Sequence, residues 1–177
     1  MPKKLKMLED LLLYEIRDLY DAEHRILKAL PKMAKKASHE ELSSAFEEHL
    51  RQTEGHVERL EKVFTLLGEK AKRKTCEGIK GLLEEGEEAL KDPMEDDVRD
   101  AALISAAQRV EHYEMAGYGS ARTFARQLGN EQAAYLLQQT LDEEADTDKK
   151  LSDIAETSVN QDAEMPIGKK SLVGARA

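Results

Sequence analysis

The sequence predicts an all-α protein in which four long helices pair as two antiparallel hairpins. Apolar residues recur at three- and four-residue spacing along four long segments, which is typical of amphipathic helices. Turn signals divide these segments into two pairs with a longer connection between them. The composition agrees, because 36% of the residues are charged, 40% are hydrophobic and only four are proline. A chain of 177 residues is long enough for one domain with a sizeable core.

The first hairpin consists of two helices joined by a short turn. The first helix is predicted over residues 5–37, and Pro31 within it is expected to kink or shorten it. Ser38 and Glu41 match an S-x-x-E capping box, which predicts that the second helix begins there. The apolar stripe of that helix stops at Gly68. Because the turn is short, the two helices should be antiparallel.

The connection between the hairpins is long and contains a short fifth helix. It begins with the basic segment KAKRK, which is typical of a solvated loop. The following segment, TCEGIKGLLEEGEEALKD, predicts a helix that is shorter than the others and weakened by its glycines. A connection of this length can carry the chain from one end of a bundle back to the other.

The second hairpin has the same plan as the first. Its first helix is predicted to begin at the acidic residues 95–97, which suit the positive end of a helix dipole, and to run to Leu128. Gly129 and Asn130 provide a stop and a tight turn. The last long helix is predicted over residues 131–158.

These elements define the predicted fold class and domain organisation. Two helical hairpins joined by a long crossover form the ferritin-like type of four-helix bundle. The bundle is predicted over residues 1–158. Residues 159–177 contain proline and glycine but no helical stripe, so we predict a loosely ordered C-terminal tail.

Polar residues interrupt the apolar stripe of every long helix near its middle. Glu23 and Thr53 each lie about fifteen residues from the first turn. Glu114 and Glu144 lie about fifteen residues from the second turn, so the polar residues of each hairpin face each other at one level. The candidate metal ligands in this belt are Glu23 on the first helix, His49 and His56 on the second, Glu111 and Glu114 on the third, and Glu144 and Asp148 on the fourth.

Several glutamates meeting in one core predict a bound metal. An ionised carboxylate is costly to bury without a partner, so such residues must share protons, contact cations or bind metal. Glu111 and Glu114 lie three residues apart, so both side chains can reach the same centre. Hard oxygen donors with some imidazole suit iron or manganese. The alternative is a buried polar network that holds no metal.

The ligand set departs from the usual dinuclear pattern. Dinuclear iron and manganese bundles take one Glu from each of two helices and Glu-x-x-His from each of the other two. Neither the second nor the fourth helix has that motif, because threonines stand at positions 53 and 147. On the fourth helix Asp148 would have to replace histidine. On the second helix, both His49 and His56 are candidates.

Charge and composition exclude several other classes of partner and location. The net charge of −9 argues against nucleic acid as a main partner. No apolar run approaches the roughly 18 residues needed to cross a bilayer, and the N-terminus lacks a secretory apolar region. The single Cys76 cannot form an internal disulfide. We therefore predict a cytoplasmic protein that binds neither nucleic acid nor membrane.

Five stretches, which together cover nearly the whole chain except the tail, match a known family. They are RDLYDAEHRILKALPKMA at 17–34, HLRQTEGHVERLE at 49–61, CEGIKGLLEEG at 76–86, RDAALISAAQRVEHYEMAGYGSARTFARQLG at 99–129 and TLDEEADTDKKLSDIA at 140–155. In these stretches the sequence resembles the YciE/YciF-type ferritin-like proteins of bacteria.

The resemblance implies a ferritin-like bundle related to rubrerythrins, commonly dimeric, associated with stress responses and carrying a non-haem metal site. In the related rubrerythrin pattern, Glu23 matches the glutamate of the first helix, and the run from Glu111 to Glu114 matches the motif E-H-Y-E. The second and fourth helices depart from the Glu-x-x-His of that pattern. A single metal, an asymmetric pair and a vestigial site therefore stay open.

We predict a non-haem metal-binding protein with a dinuclear iron or manganese site that acts on Fe(II), O₂ or peroxide in stress protection. Such a protein would be an oxidoreductase of the ferroxidase or peroxidase type, and its expected assembly is a homodimer. Its catalytic residues are not assigned. The alternative is a stress-associated structural or interaction dimer with a vestigial or empty site. A multimeric iron-storage cage is a third, weaker reading.

Overall fold

The computed structural model describes residues 4–164, and within that range the chain contains helices and turns but no strand. The helices are α1 (Leu8–Lys36), α2 (Glu40–Leu66), α3 (Glu77–Ala89), α4 (Asp96–Gln127) and α5 (Glu131–Ile154), followed by a π-helical turn (Ala155–Val159) and the short α6 (Asn160–Glu164).

The four long helices form a closed bundle. Helix α1 packs against α2 and helix α4 against α5, which gives the two antiparallel hairpins, and contacts of α2 with α5 and of α1 with α4 join the hairpins. Helix α3 lies in the crossover and packs mainly on α4 and also on α1. The predicted all-α bundle with a short fifth helix in the crossover is confirmed. No helix in the described range is long and apolar enough to cross a membrane.

Helix α1 and the C-terminal end of the bundle both extend further than the sequence predicts. Helix α1 continues through Pro31 to Lys36, so the proline does not shorten it, and its side chain is exposed. Beyond Ser158, the helical chain continues through α6, and Val159 is buried. Residues 159–164 of the predicted tail are therefore helical or buried against the bundle, and residues 165–177 lie outside the described range.

The turn between α1 and α2 is capped by a residue from α4. The predicted capping box of Ser38 and Glu41 is wrong, because the helix begins one residue later and His39 is its N-cap without a side-chain cap. Instead, the buried carboxylate of Asp100 accepts hydrogen bonds from the backbone N–H groups of Ser38 at 3.0 Å and His39 at 2.8 Å. A distant carboxylate therefore satisfies the free N–H groups of this helix end.

The crossover is anchored to α1 by Asp21. Buried Asp21 accepts hydrogen bonds from Arg25, Arg73 and the backbone N–H of Cys76. Burial alone would raise the pKa of Asp21, but these three donors lower it. The chain entering α3 is thus fixed against α1.

Close approach explains two glycines. A Cβ atom at Gly117 of α4 would lie 2.9 Å from Leu19 Cδ2 of α1, and a Cβ atom at Gly78 of α3 would overlap the ring of Tyr113 on α4. Both glycines therefore allow neighbouring helices to approach more closely than a larger residue would.

A polar layer divides the core into two apolar parts. One part surrounds the α1–α2 turn, and its larger members are Ile26, Leu30, Leu42, Phe46, Ile79, Leu103, Leu151 and Ile154. The other surrounds the α4–α5 turn, and its larger members are Leu12, Ile16, Leu19, Leu60, Phe64, Tyr118 and Leu137. Each half closes one end of the bundle, so the layer between them is shielded from both ends.

We expect Asp100→Ala to lower the free energy of unfolding by about 1–2 kcal/mol, because two backbone N–H groups of the α1–α2 turn lose their acceptor. Chemical denaturation measures the change. The control is Glu54→Ala on the exposed face of α2, where a change within about 0.5 kcal/mol is expected. Equal stability of the two variants would contradict the capping role of Asp100.

Candidate metal centre

Six of the seven candidate ligands meet in the polar layer, and each is at most 2% exposed. They are Glu23 from α1, His49 and His56 from α2, Glu111 and Glu114 from α4, and Glu144 from α5. Helical spacing explains the convergence. The two histidines lie about two turns apart on one face of α2, and the two glutamates of α4 lie about one turn apart.

The six residues contain two groups of three that share one glutamate. In the His56 triad, Nδ1 of His56 lies 3.4 Å from Glu23 Oε1 and 3.1 Å from Glu144 Oε1. In the His49 triad, Nε2 of His49 lies 3.3 Å from Glu111 Oε1 and 3.8 Å from Glu144 Oε2. Within each triad the three ligand atoms lie within 4.8 Å of one another, close enough for one metal ion to be shared between them. Glu144 therefore offers one oxygen to each group.

Glu114 lies beside both triads. Its side chain is fully buried, and neither carboxylate oxygen has a hydrogen-bond partner. Burial raises its pKa well above the usual value, and the neighbouring charges of Glu23, Glu144 and Glu111 raise it further. Glu114 thus faces carboxylates of both triads and could contribute to either.

The polar atoms of this layer are unusually poor in hydrogen bonds. Within residues 4–164, eight of the eleven buried side-chain nitrogen and oxygen atoms that lack a partner belong to these six residues. Buried polar atoms are nearly always paired in folded proteins, so a cluster of unpaired ones needs an explanation. All eight are carboxylate oxygens or imidazole nitrogens, which are metal-binding atoms. The donor set therefore fits a metal centre.

Protons compensate part of the negative charge when no metal is bound. Burial lowers the pKa of His49, but the charges of Glu111 and Glu144 outweigh it and raise the pKa to about 9. For His56, burial is likewise outweighed by Glu23 and Glu144, and the pKa rises to about 11. Burial raises the pKa of Glu144 to about 8. A cation is thus favoured wherever these carboxylates converge.

Each histidine is held through its second ring nitrogen. His56 Nε2 lies 2.9 Å from Glu143 Oε2, and because a carboxylate only accepts, His56 donates this hydrogen bond. Arg59 in turn holds Glu143 with two hydrogen bonds at 2.8 and 2.6 Å. This arrangement leaves Nδ1 of His56 facing Glu23 and Glu144. Carboxylate–histidine pairs of this kind orient metal-binding imidazoles.

The second ring nitrogen of His49 has weaker, uncharged partners. Its Nδ1 lies 3.4 Å from Gln52 Oε1 and 3.3 Å from Thr147 Oγ1. The Gln52 oxygen only accepts, so it favours a proton on Nδ1 and leaves Nε2 directed towards Glu111 and Glu144. Thr147 of α5 stands where the usual motif has histidine, and it contacts His49, a histidine of α2.

Tyr118 and Glu143 contact the centre but were not among the sequence candidates. The fully buried Tyr118 donates a hydrogen bond to Glu23 Oε1, and burial raises its pKa well above the usual value. Its position four residues after Glu114 places it on the same face of α4, which is a signal that the sequence contained. Glu143 shows no such signal, because it precedes Glu144 and lies at the edge of its stripe.

Asp148 lies outside both triads. Its Oδ1 is 3.2 Å from His112 Nε2 and 3.1 Å from Gln108 Nε2, at a partly exposed contact between α4 and α5. A helical residue four positions after Glu144 is rotated by about 40° around the axis, which here directs the side chain away from the centre. Metal ligation by Asp148 therefore stays a prediction, and the contacts of Asp148 with His112 and Gln108 do not support it.

Comparison with known proteins identifies relatives over most of the chain. Residues 7–164 match the family model described as a domain of unknown function, DUF892. Protein YciF of Escherichia coli (strain K12) is 46% identical over 161 residues, which are 90% of this chain and 97% of YciF.

Solved structures agree with this result. The crystal structure of the E. coli stress protein YciF matches with a TM-score of 0.84 and 46% identity, covering 88% of this chain and 99% of YciF. YcfI from Rhodopseudomonas palustris, for which a structural role has been suggested, matches with a TM-score of 0.84 and 39% identity over 86% of this chain and 97% of its own. A two-domain protein from Anabaena variabilis with DJ-1/ThiJ/PfpI-like and ferritin-like domains matches at 17% identity and a TM-score of 0.60, over 91% of this chain and 40% of that one. This last match concerns the fold alone.

We expect Glu114→Leu to stabilise the metal-free protein by about 1–4 kcal/mol, because the cost of burying a carboxyl group without hydrogen bonds disappears. Denaturant unfolding in the presence of a chelator measures the change. Glu54→Leu on the exposed face of α2 is the control and should change stability by no more than about 0.5 kcal/mol. A less stable Glu114→Leu protein would mean that this carboxyl group has a structural role of its own.

We expect Glu143→Gln to weaken metal binding by about 10–100-fold, because the charged partner that orients His56 is lost. Titration with Mn(II), followed by the loss of the free-ion electron paramagnetic resonance signal, measures the affinity. Glu131→Gln, on the exposed start of the same helix, is the matched control and should leave the affinity unchanged. Equal affinities in both variants would exclude an orienting role for Glu143.

Proposed function

The chain belongs to the family described as a domain of unknown function, DUF892, and for this member we propose a dinuclear non-haem metal centre in the middle of its ferritin-like bundle. The resemblance to YciE/YciF-type proteins is confirmed by the identity with E. coli YciF. One observation carries the proposal of a metal: eight buried ligand atoms converge from four helices and make no hydrogen bond to any group outside the centre.

In this proposal each triad would hold one metal ion. Glu23 and His56 would serve one ion and His49 and Glu111 the other, while Glu144 could serve both, since its two oxygens face different histidines. With Glu114, the centre contains four carboxylates, whose four negative charges two divalent cations would neutralise. Oxygen and imidazole donors without thiolate favour iron or manganese.

The proposed activity is oxidation of Fe(II) or reduction of peroxide during stress protection. Iron or manganese bound at this site would supply the redox couple for such chemistry. The chain's own contribution is to orient the ligands and exclude water. Tyr118 holds Glu23, Glu143 holds the proton of His56 Nε2, and the two apolar halves of the core cover the centre. The description of E. coli YciF as a stress protein supports this role.

A structural or interaction role is the second candidate. The description given for the R. palustris relative favours it. In that case the polar layer would be an architectural feature kept neutral by protons, and the functional unit would be a pair of chains. We propose a homodimer under either function, as the family resemblance implies, and sedimentation analysis tests it.

Metal content per chain tests the main proposal. After anaerobic incubation with Fe(II) or Mn(II) and desalting, elemental analysis should find about two ions per chain. His49→Ala and His56→Ala should each retain about one ion, because each removes a ligand from one triad. Glu144→Ala should retain fewer than either, since it removes a ligand from both. Peroxide consumption by the iron-loaded protein should fall in parallel.

The control for these variants is Asp148→Asn, which lies outside both triads and should keep the full metal content. Circular dichroism and thermal unfolding establish that every variant is folded. Native protein that is folded but retains no metal would overturn the metal centre and favour the structural candidate.

A further inference from the structure

The two triads differ in how they are shielded from solvent. On the His56 side, His56 and Glu23 are fully buried, and the ion pair of Glu143 with Arg59 covers the outer ring nitrogen of His56. On the His49 side, a cavity of about 220 Å³ between α2 and α5 has His49 and Glu111 in its lining. The centre therefore has a closed side and an accessible side.

The side chains that line the cavity become more exposed with distance from the centre. His49 and Glu111 are almost completely buried, Gln52 and Thr147 are half-buried, and the side chains of Glu48 and Lys150 are about half exposed. The cavity thus leads from the surface, past Gln52 and Thr147, to the His49 triad.

Three larger cavities in the described part of the chain do not lead to the centre. One of about 520 Å³ lies between α1 and α3, one of about 690 Å³ lies beside His112, and one of about 410 Å³ lies beside Tyr135. None of the three is lined by any of the six residues of the centre. Although they are larger, they therefore give no access to it.

We propose that the cavity between α2 and α5 is the access route and binding site for a small neutral oxidant, O₂ or hydrogen peroxide. This inference rests on the proposed metal centre and assigns its accessible position to the His49 triad. Thr147 and Gln52 lie at the inner end of the route, where Thr147 Oγ1 is 3.3 Å from His49 Nδ1 and 3.4 Å from Gln52 Oε1.

Volume and charge both support this class of ligand. Sites for drug-sized organic molecules occupy roughly 300–1,000 Å³, and this cavity is smaller while opening towards solvent at one end. At the mouth, Lys150 is paired with Glu48, so these two charges largely cancel each other. A neutral molecule can therefore enter without an electrostatic barrier at this ion pair.

The experiment measures how fast a small neutral probe reaches the metal. Nitric oxide is mixed with anaerobic Fe(II)-loaded protein, and its association is followed by absorbance in a stopped-flow instrument. Thr147→Leu adds volume at the inner end of the route and should slow association at least tenfold. The control is Ser105→Leu, which adds a leucine beside the separate cavity near His112 and should keep the native rate within twofold. Ala45→Val narrows the opposite wall and should also slow association.

Metal content is measured on the same samples, so that a change in the access route can be distinguished from a loss of the metal centre. Full metal content with an unchanged rate in both Thr147→Leu and Ala45→Val would overturn the access route and leave the metal centre intact. A native protein that retains no iron would overturn both.

Discussion

The burial of several carboxylates in one layer is the constraint on which the rest of the molecule depends. Glu23, Glu111, Glu114 and Glu144 cannot all be ionised in an apolar interior without cations beside them. No lysine or arginine from the surrounding helices supplies that charge by an ion pair with them in the described range. The layer is therefore stable only with protons or metal ions, and the helices on either side must be long enough to build a separate apolar core above and below it.

The same constraint explains why the histidines are placed differently from the usual pattern. Helix α5 has Thr147 where a Glu-x-x-His motif would place histidine, and α2 has Thr53 where it would place glutamate. His49 restores the second imidazole from α2, and Glu111 adds a second carboxylate from α4. The centre thus has the four glutamates and two histidines of the usual pattern. They are distributed differently among the helices, so the arrangement is less symmetric.

The sequence was sufficient to predict the fold and the level of the polar layer, because both follow from helical periodicity and from distances to the turns. It was less informative about which edge residues face inward. Asp148 and Glu143 both lie at the edge of the α5 stripe, and only the rotation of α5 against α2 and α4 decides that Glu143 contacts His56 while Asp148 does not. The role of Asp100 was likewise hidden, since its partners lie 61 and 62 residues away in the chain.

The hydrogen bonds of Asp100 also set the position of α4 along the bundle axis relative to α2. They fix the start of α4 beside the start of α2, and these two helices then run in the same direction from that common origin. Thr53 follows His39, and Glu114 follows Asp100, by the same interval of about fourteen residues or 21 Å. These two helices lie diagonally across the bundle, and they therefore bring their polar side chains to the same height. The turn of the first hairpin is thus held in part by a residue of the second, so the same two hydrogen bonds join the hairpins and align the centre.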